Sequence, residues 1–587
     1  MTEATKVNWQ EDLVTDLIKG LDESKVPELI DKGATPDSKN VNIFNGALYK
    51  DTGYSKFAQI LRGTPRKTYQ FIKKDTSDFY VCLTDATFYV YNVGSNEWDY
   101  VSDGVDTTLS GALGASSIIP VVDRTGFSAN QYVGLMLSDG TQHKTTIVSG
   151  YIDATGAGNI AVNDPTPSAA DSGAVFLKTP DFTGSPTIQV DFIQINSDDK
   201  LIITNGVDNV KVYDGTTIED LANLPASGNT QCKALGYHNN HLLLLNTTEG
   251  GISFPYRIRN SDTGNIEEWS AGNAGFEDLY DTPDHIVGGL LLGPYFIIYK
   301  AKSIIRQEWV GSDDLLFSRE DVITNEGLLS KDGVVDLGDH HIFVGNSNFY
   351  RYRGGFDLEP IGDQVYNKIF NIFGDLNPQF RSLSFMLYAE NSEEIWFFYA
   401  SIGEESPKAI LKYSIKNKSW IYRELKDNIV GYGIYQRVTT LTWNTIVGTW
   451  NDQVNIWNAN ALASNLPSIH LCGDENLRVY EYDYSELDDD GVTQDCYWES
   501  KDFFDGGYYL LVDSIILKAK GTDVYVDYSI DAGVTWTNLD SFTSSTVDIH
   551  KIDGEFSSKS FRFRVRSDNN GFQLNWFKIM FTRDSLT

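Results

Sequence analysis

Short β-strands recurring as hairpins at a steady spacing constrain this 587-residue chain more than any other feature. Runs of β-favouring residues at 79–83 and 88–91 flank a Thr84-Asp85-Ala86-Thr87 turn, and those at 200–203 and 210–213 flank Asn205-Gly206. The same plan joins 342–344 to 349–352 through Gly345-Asn346-Ser347-Asn348. Two such runs around turn residues read as a hairpin. Single strands read at 241–245, at 395–399 with a partner at 410–413, and at 441–443 with a partner at 454–457. A lone hairpin cannot bury its apolar face, so repeated ones stack into a propeller or sandwich.

The spacing favours a propeller. Trp98, Trp269 and Trp420 close similar units; the second and third stand 151 residues apart, three periods of about 50. The first two fit two periods once 106–179, a stretch rich in Gly, Ala, Ser and Thr, is treated as an insertion. The expected all-β chain has a short helical segment at 1–39 and a six- or seven-bladed propeller at 40–105 and 180–470. A small β-domain at 106–179 is inserted in the propeller, and 471–587 form a C-terminal β-sandwich. The helical reading rests on Glu11, Asp12, Leu13, Leu17, Ile18 and Leu21, then Val26, Leu29 and Ile30, at helix-like intervals. Tyr (32), Phe (31) and Gly (50) against only 4 Met fit strands and turns rather than helical cores.

Charge narrows the function. Asp and Glu (81) outnumber Lys and Arg (47), a formal charge of −34, and such a surface repels nucleic-acid phosphates. Specific DNA binding is therefore not expected, although a carboxylate wall would let a polyanion slide past. The opening Met1-Thr2-Glu3-Ala4-Thr5-Lys6 lacks a basic segment followed by an apolar run, so no secretory signal is expected. The longest apolar stretch, 286–299, is broken by Gly288, Gly289, Gly293 and Pro294, too short to anchor in a membrane. Cys82, Cys232, Cys472 and Cys496 are scattered, without metal or disulfide spacing, and read as reduced and buried.

A resemblance adds to this. Asp37-Ser38-Lys39-Asn40-Val41, Asn45-Gly46-Ala47-Leu48 and Gly53-Tyr54-Ser55-Lys56-Phe57 resemble the opening of propeller-type structural proteins of phage virions. The likeness continues through Arg259-Asn260-Ser261-Asp262 to Glu268-Trp269, Lys302-Ser303-Ile304-Ile305 to Gly311, and Gly327-Leu328-Leu329-Ser330 to Gly338-Asp339 and Phe349-Tyr350. The functional analogues that the resemblance suggests are the nozzle, tail-hub and stabilisation proteins of short-tailed phages. The resemblance implies a homo-oligomeric ring, sixfold in that family, whose propellers surround the DNA ejection channel. Its partners would be other tail or connector proteins, and duplex DNA would pass without specific binding. It also implies a place in the virion tail after synthesis in the host cytoplasm. The insert and the C-terminal sandwich are not required by the pattern.

Candidate chemistry is sparse. Ser529, Asp531, Gly533, Thr535 and Trp536 match an Asp box, in which Asp and Ser bond turn amides, Gly takes positive φ and Trp packs beneath. Read structurally, the box is a folding device; read functionally, it is the one feature shared with sialidase-like propellers. Asp488, Asp489 and Asp490 after Glu486 could gather oxygens for Ca²⁺, but lack EF-hand spacing. His238 and His241, with Cys232 nearby, and the pair His340 and His341 fall short of a zinc ligand set and read as turn and strand-end residues. G-x-S-x-G, H-E-x-x-H and Walker-type motifs are absent. No catalytic activity and no cofactor are expected. The alternatives are a carbohydrate-binding or sialidase-like propeller, which arginines clustered on one funnel would favour, and a receptor-binding tail protein.

Overall fold

A computed structural model describes residues 10–185, 189–312, 315–436, 467–568 and 571–584. The strands expected at 441–443 and 454–457 lie outside them. Seven four-stranded antiparallel blades follow one another along the chain, five of them separate sheets and the last two parts of six-stranded sheets. Blade one comprises Pro65–Ile72, Asp78–Thr84, Phe88–Asn92 and Glu97–Tyr100, and blade two runs from Asp191–Ile195 to Ile218–Asp220. Blade three runs from Thr230–His238 to Gly275–Asp278, and blade four from Ile286–Leu292 to Phe317–Ile323. Blade five runs from Val334–Asp336 to Leu358–Pro360, and blade six from Phe385–Ala389 to Ser419–Glu424. Blade seven takes three strands, Ile429–Tyr435, Ser468–Gly473 and Arg478–Asp483, from late in the chain. Its fourth, Gly53–Phe57, comes from near the start and pairs antiparallel from Gly53↔Asp483 to Phe57↔Val479.

The fold is therefore a seven-bladed β-propeller closed by strands from both ends of the ring. First strands of neighbouring blades touch around it, with Phe385 of blade six stacked on Tyr432 of blade seven. Closure needs two glycines: a Cβ on Gly431 would sit 1.7 Å from the Arg66 carbonyl oxygen, and one on Gly433 1.9 Å from the Thr68 hydroxyl. Apolar layers fill the spaces between blades, as where Phe71, Val81 and Leu83 meet Leu201, Ile203 and Tyr213. Trp98 and Trp420 lie on the fourth strands of blades one and six, and Trp269 is buried in the turn before the fourth strand of blade three. The intervals of two and three repeats correspond to real blades.

Between blades one and two the chain builds a separate unit. Asp106–Thr108, Val175–Lys178, Tyr132–Met136 and Gln142–Thr146 form one sheet, and Ile118–Val121 pairs with Gly158–Ala161. Val121, Leu135, Ile160 and Phe176 fill its own core. It is fixed to blade one: the Gln142 amide donates to the Tyr100 carbonyl and accepts from the Tyr100 N–H, and Lys144 lies 3.2 Å from Asp99.

Two expectations are corrected. Among the described residues, 10–39 contain no helix. Gln10–Val14 pairs with 577–581, Leu21 pairs with Trp420, and Ala34–Thr35 runs parallel to Gly20–Leu21. The four-residue spacing of Leu13, Leu17 and Leu21 is not one helical stripe: Leu13 is exposed, Leu17 enters the sandwich core and Leu21 a propeller core. An isolated helix this short is marginal, whereas ladders to formed sheets satisfy its backbone. Gly20, at φ +68°, also breaks any helical run. The sole α-helix among the described residues is Tyr366–Ile369.

The second correction concerns the sandwich. Residues 468–483 belong to blade seven, and the C-terminal sheet starts at Cys496–Glu499. It takes in Ser38–Lys39, Val41–Phe44 and Ala47–Lys50, which sequence had placed largely in the propeller. Its ten strands, including the long Tyr509–Ser529 and Thr537–Ser558, enclose a core of Trp498, Ile515, Phe563 and Phe577. No helix among the described residues is long and apolar enough to cross a membrane.

Candidate functional site

Buried charge marks two places where the ring is held together. The first lies on the propeller axis. Lys67 of blade one stands 2.9 Å from Asp332 and 3.6 Å from Asp191 at the start of blade two. Lys331, in the approach to blade five, stands 3.4 Å from Asp191 and 2.9 Å from Asp332. Two lysines and two aspartates thus bridge three blades across the opening. Burial by itself would raise the Asp332 carboxyl, but the ammonium groups of Lys331 and Lys67 outweigh it and hold it at about 2. Burial likewise opposes the charge of Lys67, and Asp332 and Asp191 overcome it, raising its pKa. Beside them a cavity of about 20 Å³, room for roughly one water, is lined by Arg66, Val190, Phe385 and Tyr432.

The second place is the seam where Gly53–Phe57 completes blade seven. Lys412, fully buried on blade six, donates to Asp51 at 2.5 Å and to the Tyr482 hydroxyl at 3.1 Å. Arg423 joins Asp51 at 3.2 Å to Asp489 at 2.5 Å, and donates to the Thr52 carbonyl. Burial would raise Asp51, but Lys412 and Arg423 overcome it and lower its pKa. Asp489 ends raised, because burial outweighs Arg423 there.

That network contains the acidic turn singled out for Ca²⁺. Asp489 is held by Arg423, Asp490 by Lys56 at 3.1 Å and Lys426 at 3.4 Å, and Asp488 stands 3.9 Å from Lys50. The three carboxylates turn to different cations and do not converge, and no group of three potential metal ligands occurs among the described residues. The histidines are similarly engaged. His238 and His241 face each other across a hairpin, but His238 bonds Gln307 and the Pro294 carbonyl, and His241 the Ser261 carbonyl. His341 bonds the Tyr299 hydroxyl and the Leu291 carbonyl, while His340 contacts Asp339. All four cysteines are free and buried.

The Asp box forms the turn between the two longest strands of the sandwich. Ser529 donates to Asp531 at 2.7 Å and accepts the Gly533 amide at 2.9 Å. Asp531 accepts the Thr535 hydroxyl at 2.6 Å and amide at 2.9 Å, and these bonds hold its carboxyl at about 2. Gly533 takes φ +87°, and the Arg564 guanidinium lies 4.4 Å from the Trp536 ring centre. All five residues close a hairpin tip, outside the propeller.

Sequence reasoning missed Lys67, Asp191, Lys331, Asp332, Asp51, Lys412 and Arg423. One signal existed: Lys412 interrupts the otherwise apolar strand Ala409–Ser414, a position a lysine occupies only with buried partners.

Arginines elsewhere also stand in carboxylate-sharing groups. Arg257 and Arg259 share Glu249, Arg351 and Arg353 share Glu359, and Arg564 and Arg566 share Asp527. Arg562 lies between Glu499 and Asp502.

No known family model matches the sequence, and no curated protein matches it. Solved structures it is similar to include Hsv2 of Kluyveromyces lactis, at 10% identity over 62% of this chain and 98% of that one, with a TM-score of 0.23. Others are the dihydro-heme d1 dehydrogenase NirN, at 11% over 77% and 80% with a TM-score of 0.28, and Chaetomium thermophilum Raptor, at 8% over 73% and 29% with a TM-score of 0.25. At such scores the propeller assignment rests on the sheet topology, and none of these proteins bears on activity.

Proposed function

We propose that this chain is a structural component of a phage tail, a ring-forming nozzle or hub protein whose copies line the DNA ejection channel with an acidic surface. The observation that carries this reading is the sorting of charge. Cations stand in internal pairs on the propeller axis, at the blade-seven seam and along the strands, in a chain whose acidic residues exceed its basic ones by 34. Each of those pairs removes an acid with its base, so the excess of 34 acidic residues remains on the rest of the chain. Such a wall repels phosphates within a Debye length of about 8 Å at physiological salt. A duplex would stay centred without the counterion release that drives DNA binding.

The duct in this reading lies between copies, because Lys67, Asp191, Lys331 and Asp332 occupy the axis of each propeller. The carbohydrate-active alternative called for arginines gathered on one funnel. Among the described residues, the cavities of about 20, 190 and 310 Å³ have at most one arginine each. Mass photometry of the purified chain, alone and with tail-tube partners, followed by imaging of any rings, tests the proposal. A ring with an opening wide enough for duplex DNA is the expected result. A chain that stays single with every partner, yet binds or cleaves glycans, refutes it.

A further inference from the structure

Two carboxylates meet where the N-terminal strap, residues 22–39, lies on the sandwich. Ser38 pairs with Trp498 and Lys39 with Tyr497, so the next position of this antiparallel ladder sets Asp37 opposite Glu499. The Glu499 amide donates to the Asp37 carbonyl at 3.2 Å. Side chains directly opposite share a face with their Cβ atoms about 5 Å apart, where like charges repel. Glu499 is only 5% exposed, so little water screens that repulsion.

The cations within reach are largely committed to other acids. On the next strand Arg562 gives two hydrogen bonds to Asp502, at 2.6 and 3.1 Å, and one to Glu499, at 3.2 Å. Arg564 stands opposite Glu499 in the ladder but turns its guanidinium to Asp527 at 3.1 Å. Lys39, next on the strap, lies 2.7 Å from Glu424 and 3.3 Å from Asp495. The Tyr497 hydroxyl donates to Asp37 at 3.0 Å, and Glu23 adds a further acid near Asp37. Acids around Glu499 therefore outnumber the cations that answer them, and a proton on its carboxyl relieves the excess. Burial, and after it Asp37, pushes that carboxyl up to about 7, while Arg562 pulls it back.

The strap spans from Leu21, paired with Trp420 of blade six, to Ser38 in the sandwich. Its Pro27 carbonyl accepts the Asp502 amide at 3.2 Å and its Ile30 carbonyl the Lys501 ammonium at 3.0 Å. Both donors follow Glu499 within three residues, so parting Asp37 from Glu499 strains these bonds as well. We propose that Glu499 and Asp37 form a proton-operated latch: a protonated Glu499 lets the strap lie closed on the sandwich, and an ionised one drives it off. The latch loosens a tie between sandwich and propeller as pH rises, whatever the chain assembles with.

Hydrogen exchange of the full chain at pH 6 and pH 9, expressed as protection factors so that base catalysis of exchange cancels, reads the opening. The amides of Glu499 and Asp502 are held by strap carbonyls. A carboxyl at about 7 when closed and at its ordinary 4.5 when open contributes stability that is complete in acid and lost as pH rises through about 7. Those two amides should therefore lose about tenfold in protection between pH 6 and pH 9, while Tyr132–Met136 in the insert keeps its protection. Glu499→Gln should show equal protection at both pH values. Asp37→Asn, which keeps an acceptor for the Tyr497 hydroxyl, should shrink the wild-type loss severalfold. Wild-type protection that is the same at pH 6 and pH 9 overturns the latch without need of any variant, and so does a loss that persists in Glu499→Gln. A loss that Asp37→Asn leaves whole overturns the pairing of the two carboxylates.

Discussion

Replacing Asp332 by asparagine tests whether the four axial charges hold the blades together. The Asp332 carboxyl lies at about 2 against an ordinary 3.8. At 1.36 kcal/mol per unit, that gap corresponds to about 2 kcal/mol. Removing one member also leaves Lys67 and Lys331 facing each other with only Asp191, and breaking buried pairs in this way costs about 3–5 kcal/mol in all. A loss of about 3 kcal/mol is expected. With several structural units a single unfolding free energy is ill-defined, so hydrogen exchange is the assay. Amides of Asp191–Ile195 and Val334–Asp336 should exchange about a hundredfold faster in the variant, while those of Tyr132–Met136 in the insert stay unchanged. The pH dependence is fixed by the sign of the shift. A depressed folded pKa contributes stability that is complete above about 3.8 and lost as pH falls through about 2. Wild type and variant should differ equally at pH 8 and pH 5 and converge only in acid. Unchanged exchange in blades two and five, or a difference already gone at pH 5, would refute the reasoning.

Three further outcomes follow from the geometry. Gly431→Val forces a side chain onto the Arg66 carbonyl, so the meeting of blades seven and one should fail, seen as insoluble expression or a melting point many degrees lower. Glu499, buried beside Asp37 and opposed by Arg562, is pushed up to about 7. Its folded pKa exceeds the unfolded value, so its contribution is complete in acid and lost as pH rises through about 7. Glu499→Gln should therefore match wild type near pH 4 and gain on it above pH 8, by up to about 3 kcal/mol at 1.36 kcal/mol per unit, as read from hydrogen exchange of the Cys496–Glu499 amides compared between the two proteins at each pH. Asp531→Ala removes the bonds to Thr535 and should open the hairpin tip to proteolysis between Ser529 and Thr537 while blade melting is unchanged; equal protease resistance would count against a folding role for the box.

What could be read from sequence was what is local. The strands at 79–91, 200–213 and 342–352 are legible because β-favouring runs and turn residues lie within one hairpin, and the geometry of the Asp box is written within eight residues. The N-terminal segment was illegible for a physical reason. Leu13, Leu17 and Leu21 carry a helical interval, but their partners are strands at Phe577–Phe581 and Trp420, hundreds of residues away. The axial charges are the extreme case: Lys67 and Asp332 are separated by 265 residues, and neither stands in an unusual local pattern. Lys412 was readable as an anomaly, though not its partners Asp51 and Tyr482, which arrive from opposite ends of the chain.

The distribution of partners also explains how the sandwich and propeller are joined. Gln10–Val14 lies in the sandwich, Gly20–Leu21 and Ala34–Thr35 extend blade six, and Ser38–Lys39 returns to the sandwich. Gly53–Phe57 then completes blade seven. The chain thus crosses between the two units repeatedly before the first blade is made. A single linker would leave the units to rotate about it, whereas a segment paired at each crossing must lose several ladders before either unit can move. Asp51, Lys412, Arg423 and Asp489 sit beside the last of these crossings and tie it to blade six. In the proposed ring, force applied to the sandwich would pass into blades six and seven through backbone hydrogen bonds and these ion pairs, without an interdomain hinge to absorb it.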